Sequence, residues 1–192
     1  MRLYRESLEW RQEDLAAEAS KLGHPMNRVT LSNIERGGTR AANVSLVDTM
    51  VLAAALNVPP PLLFLPLGEE DRVAITPTVK VHPHLVLDWI TGEGPFVYSN
   101  QQARDVKTWR KHSTPMWLFQ ELRRYQDAAH EAETRQRLEK GQRAAVAAER
   151  FDGALRQLEQ HIVYMKREGL RVPEMPSKWT DRMEQLRDKE AR

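Results

Sequence analysis

Cysteine is absent from the 192 residues, so there is no disulfide framework and no thiolate metal site. That absence fits an intracellular chain. No apolar run approaches the ~20 residues needed to span a bilayer. The first residues lack the charged-then-apolar pattern of a leader. A cytoplasmic chain without a membrane segment is therefore expected. Catalytic signatures are missing too: there is no nucleophile elbow, no glycine loop to cradle phosphate and no cluster of metal ligands. His82 and His84 are too few and too close for a metal cage of the usual kind. The carboxylates are plentiful but fall in helical surface patterns. The expectation is a protein that is not an enzyme and carries no cofactor and no metal. Charge of one sign is also scarce: 29 Lys and Arg stand against 27 Asp and Glu, a formal net charge of +2.

What is present is a chain long enough for one medium or two small domains with a core of their own. Charged residues make up 29% of it, which points to exposed helices. Residues 27–36 read NRVTLSNIER and are closed by Gly37 and Gly38. Asn27 is a good N-cap, because its side-chain oxygen can accept an orphan amide hydrogen of the first turn. Leu31 and Ile34, three apart, share a face, and Val29 points elsewhere. Arg28, Thr30, Ser32, Asn33 and Arg36 fill the other face. Gly37 supplies the left-handed residue that ends the helix. Such a helix, apolar inside with Arg, Thr, Ser and Asn outside, suits a DNA major groove.

The flanks extend the pattern. Upstream lie Arg5 and Trp10 to Ala16 (WRQEDLA); downstream lie Leu46, Leu52, Ala53, Leu56 and Val58. Together with Thr30 to Gly37 (TLSNIERG), these residues resemble the Cro/C1-type (XRE) helix-turn-helix family over residues 1–65, a third of the chain. Two features depart from the family. Residues 21–26 lengthen the turn before the central helix, which leaves that helix free to sit at a different angle. Val44 stands near the place of a proline usual after the following loop.

The resemblance implies a five-helix, lambda-repressor-like domain over residues 1–66. Arg28, Val29, Thr30, Ser32 and Asn33 would read bases. Gln12, Asn27, Arg36, Thr39, Arg40 and Asn43 would touch the DNA backbone. Arg5 would pair with Glu35, holding the first helix against the third. The implied partner is double-stranded DNA, bound by a homodimer on inverted half-sites, and the implied location is the nucleoid.

Within that domain, Met1, Tyr4 and Leu8 predict a first helix. Leu15, Ala16, Ala19 and Leu22 give the stripe of a second, ended by Gly23. Ser45 is expected to cap a helix carrying Leu46, Met50, Ala53, Ala54 and Leu56. A last short helix, residues 62–65, follows the prolines at 59–61.

Residues 67–113 read as a small mixed connecting segment. Val73 to Val81 has partial alternation and predicts one or two extended pieces. Pro83 opens a short helix through Trp89 that Gly92 ends, with Trp89 as core filler or interface anchor. Residues 99–112 are basic around Trp109, the pattern of a second phosphate contact or of a solvated face.

Residues 114–192 are expected to form a helical, coiled-coil region. Ser113, Thr114 and Pro115 read as a helix opening. Leu118, Leu122, Tyr125, Ala129 and Ala132 then follow as a heptad seam. The seam fades through Gln136, Glu139 and Gly141. It resumes as Ala144, Ala148, Phe151, Leu155, Leu158, Ile162 and Met165. Either one long helix carries both seams or the chain reverses near Gly141. The repeat needs a partner, within the chain or in a second copy, and the C-terminal helices offer a dimer contact. Ser177 is expected to cap a final helix with Trp179, Met183 and Leu186.

The whole is read as an all-α protein acting as a sequence-specific DNA-binding transcriptional regulator, a repressor of phage or mobile-element type by resemblance. The alternative is a protein-interaction module, antitoxin or adaptor that keeps the helix-turn-helix fold as a scaffold. Residues 1–65 carry about as many acids as bases, which keeps that alternative open.

Overall fold

The computed structural model describes residues 1–37, 43–96 and 106–191. It is mostly helical, with one two-stranded sheet among the described residues. The chain separates into two compact units, Met1–Arg104 and Asp105–Arg192. No helix among the described residues is long and apolar enough to cross a membrane.

The first unit begins with four short helices: α1 (Arg2–Ser7), α2 (Gln12–Lys21), α3 (Arg28–Glu35) and α4 (Leu46–Leu56). Local chemistry sets their ends. The Asp14 carboxylate accepts the Arg11 amide at the start of α2 at 2.7 Å. Asn27 Oδ1 accepts the Thr30 amide at 2.8 Å and opens α3. Ser45 and Asp48 cap α4 reciprocally, so each satisfies an amide the first turn leaves open. Gly37 takes a left-handed φ of 67° just past α3, a conformation a Cβ disfavours.

Leu15, Leu31, Leu52 and Leu56 form the buried centre, with Tyr4, Trp10, Met26, Ile34 and Val58 packed around them. Several expected core positions differ. Leu8, Leu22, Leu46 and Met50 face solvent. The reason is length: each helix turns only two or three times, and Leu8 and Leu22 sit at C-caps. In α4, Leu52 and Ala53 are buried while Leu46 is 77% exposed. The expected fifth helix is a single 3₁₀ turn, Pro60–Leu63.

Leu65 does not close that cluster. It is buried with Val81 and Val86, against Leu67, Val73, Ile75, Val79, Leu87 and Phe96. This second cluster joins strands β1 (Val73–Thr76) and β2 (Val79–Val81), an antiparallel hairpin, to helix α5 (Pro83–Thr91). Residues either side of the expected 66/67 boundary therefore share one core. His82 caps α5, accepting the His84 amide through Nδ1 at 3.3 Å. Trp89 is partly exposed and packs at a tilt against Phe96, ring centroids 4.8 Å apart.

Among the described residues the second unit holds three helices: α6 (Val106–Leu138), α7 (Gln142–Arg167) and α8 (Ser177–Glu190). The chain reverses after α6, so the two-helix alternative is the one observed. Gly141 has φ 59° and ψ −137°, backbone angles essentially restricted to glycine. The seams meet each other and α8: Leu118, Leu122, Ala129, Phe151, Leu155, Leu158 and Met165 pack with Trp179, Met183 and Leu186. Near the turn, Ala147 is buried in place of the expected Ala148.

Two helix openings also differ. Ser113, Thr114 and Pro115 lie inside α6, so the expected 113/114 boundary falls within a helix. The Ser113 and Thr114 hydroxyls both donate back to the Arg110 carbonyl, bonding a preceding turn instead of capping a new one. Pro115 is exposed, where the carbonyl it orphans can reach water. At α8 the N-cap is Pro176, with no side-chain cap; Ser177 is already helical.

Candidate nucleic-acid interface

Beneath α3 lies a set of polar bonds that ties three helices together. Arg5 donates from Nε to Glu35 Oε1 at 2.7 Å and from Nη2 to Glu35 Oε2 at 3.0 Å. Its third contact is the Trp10 carbonyl, 2.6 Å from Nη1. Gln12 Nε2 donates to Glu35 Oε2 at 2.8 Å. The side chains of Arg5 and Glu35 are 9% and 4% exposed. Burial alone would raise the Glu35 carboxyl, but the hydrogen bonds from Arg5 and Gln12 outweigh it and hold the group below its usual range. The same bond to Glu35 raises Arg5. A fork of two parallel charge-assisted bonds fixes orientation as well as distance.

The Arg5–Glu35 pair was expected, and the structure contains it. Gln12 is expected to touch a DNA phosphate; here its amide also donates to Glu35. The physical reason is the carboxylate itself: two buried oxygens need more donors than one guanidinium conveniently supplies.

Outside this clamp, α3 presents Arg28, Val29, Thr30 and Arg36 to solvent, with Ser32 and Asn33 half-buried. Val29 is 63% exposed. Among the described residues the side chains of Ser32, Asn33 and Arg36 have no hydrogen-bond or ion-pair partner. Thr30 Oγ1 donates to Asn27 Oδ1 at 3.1 Å, so the oxygen of Asn27 is occupied by capping. Arg28 lies with Nε 3.1 Å from Glu13 Oε1, both side chains well exposed. Asn43 is exposed. Thr39 and Arg40 lie outside the described residues, as do residues 99–105 of the basic stretch.

One tie was not foreseen. The lengthened turn is pinned at two points: Met26 packs into the core, and His24 Nε2 lies 2.7 Å from Asp48 Oδ1 at the start of α4. Burial works against the Asp48 charge, but the Ser45 hydroxyl and His24 more than offset it and lower the carboxyl. No spacing rule links a turn histidine to a carboxylate 24 residues on; only the packed fold brings them together. No group of three or more metal-ligating side chains occurs among the described residues.

The geometry thus offers a short helix held from below, with guanidinium, hydroxyl and amide groups on its outer side. Comparison with family models, with curated proteins and with solved structures finds no match to this chain.

Proposed function

We propose that residues 1–65 are a Cro/C1-type helix-turn-helix unit and that the protein is a sequence-specific DNA-binding regulator, a repressor, with α3 in the major groove. The observation that carries this reading is the Arg5–Glu35–Gln12 clamp under a helix that exposes Arg28, Val29, Thr30 and Arg36 and leaves Ser32 and Asn33 half-buried. A helix that reads bases needs such a fixed seat, because a misaligned donor loses its bond to the base edge. Arg28 takes a guanine through a bidentate contact. Ser32 and Asn33 read neighbouring edges, and Arg36 meets phosphate.

Two copies on inverted half-sites fit the family's habit. The C-terminal helices remain the expected contact between copies, and their heptad positions also pack with α8 within one chain.

Glu13 tempers the contact, because its carboxylate competes with DNA for Arg28. The test is a set of fluorescence-anisotropy titrations at two salt concentrations. The duplexes are one selected from a random library and a scrambled control. Arg28→Ala is expected to cost about 1–3 kcal/mol on the selected duplex and little on the control. Glu13→Gln tightens both. Equal losses on the two duplexes for Arg28→Ala would reject base reading.

The scaffold reading has its own supporting observation: Arg28 is already ion-paired, and acids match bases through this region. A chain indifferent to every duplex favours it.

A further inference from the structure

A groove of about 810 Å³ opens between α6 and α7 near their turn. No residue of α8 lines it. Its position coincides with the place where the apolar seam fades. Large side chains give way there to Ala128, Ala132, Val146 and Ala147, all of which line the groove. Val146 is exposed while Ala147 is buried, so an apolar floor is reachable from solvent. A volume of this size lies in the range that holds a small organic molecule.

The rim carries three arginines, Arg135, Arg143 and Arg150, against two glutamates, Glu131 and Glu139. Arg135 is paired with Glu131 at 2.7 Å. The other cations of α7 have an account: Arg156 bonds Glu190, and Lys166 and Arg167 lie in the last turn, where the helix dipole favours positive charge. Arg143 and Arg150 have no carboxylate partner among the described residues. They are seven residues apart on one face of α7, about 10 Å along its axis. Unpaired guanidiniums on either side of an apolar floor are complementary to an anion with an apolar body.

We propose that this groove binds an organic carboxylate, best a linear dicarboxylate of about that length, whose chain lies on the alanine floor while its ends meet Arg143 and Arg150. Guanidinium and carboxylate match as planar forks, which makes arginine the fitting residue for such ends.

The test uses the full chain, calorimetric titration and three probes: decanedioate, decanoate and 1,10-decanediol. The expected order of affinity is diacid, monoacid, diol, with the diol at least about tenfold weaker than the diacid. Arg143→Gln combined with Arg150→Gln is expected to bring the diacid down to the diol. Val146→Trp fills the groove and abolishes binding of all three. Both variants alter exposed positions, and far-UV circular dichroism checks that they fold. Equal affinity for diacid and diol, a diacid that binds no better than about 1 mM, or binding unchanged in the double arginine variant would overturn the proposal. The readout involves no DNA, so it stands or falls separately from the reading of α3.

Discussion

Among the described residues each unit has a glutamate whose side chain is almost wholly covered, and the two solve the same problem differently. In the first, Glu35 is held by one arginine in a two-pronged fork and by the amide of Gln12. In the second, Glu133 is held by two separate cations, Arg137 at 2.8 Å and Lys178 from α8, and by the Trp179 indole N–H at 3.1 Å. Its side chain is 9% exposed. Burial opposes the Glu133 charge, but Lys178, Arg137 and Trp179 together bring the carboxyl down to about 2. The Glu35 cation is as buried as its anion, whereas Arg137 and Lys178 are largely in water. A fork between two buried groups fixes an angle, here that of α3 against α1. Cations reaching in from solvent fasten an element without aiming it, and α8 needs only to be fastened.

That contrast can be broken most severely at Glu35. Glu35→Ala strands the buried Arg5 guanidinium, and about 3–5 kcal/mol of stability is expected to go. Urea unfolding would show the loss, and hydrogen exchange would place it in α1 to α3. A change under about 1 kcal/mol would mean the pair behaves as a surface one.

Acid tests the other glutamate next. Glu133 titrates at about 2 when folded against 4.5 when unfolded. A depressed carboxyl contributes stability that is complete above the unfolded value and is lost as pH falls toward the folded one. On the order of 3 kcal/mol is expected to disappear between pH 4.5 and pH 2. Glu133→Gln should flatten that part of the stability profile. A profile equally steep in the variant would assign the acid loss elsewhere.

The smallest effect compares the two neutral donors. Gln12→Ala and Trp179→Phe each remove one hydrogen bond to a charged carboxylate, and about 1.5–3 kcal/mol is expected from each. Gln12→Ala is sharper for function. If its amide serves Glu35 and not phosphate, the salt dependence of DNA binding stays unchanged while thermal stability falls.

Much of this was readable along the chain, and the reason is locality. The caps of α3 at Asn27 and Gly37 depend on neighbours three or four residues away. The heptad positions Leu118, Leu122, Leu155 and Leu158 needed only helical spacing to be assigned to a core. Arg5 and Glu35 were legible through a resemblance, not through spacing. Other readings failed where the decision was not local. Ser113 and Pro115 have the composition of a helix start, yet α6 runs through them. Leu46 and Met50 carry the right side chains for a core but face solvent among the described residues.

The order of residues alone determined where helices could cap, which positions were apolar at helical period, and that a carboxylate at 35 sat in a motif with an arginine at 5. It did not decide whether the two seams met in one chain or between two, since both arrangements bury the same side chains. Folding decided that, because a glycine at 141 can take backbone angles other residues avoid, and α8 then covers what the hairpin leaves open. The bond from Gln12 to Glu35 and the tie from His24 to Asp48 are tertiary in the same sense: hydrogen bonds reach about 3 Å, and only packing brings such distant residues that close.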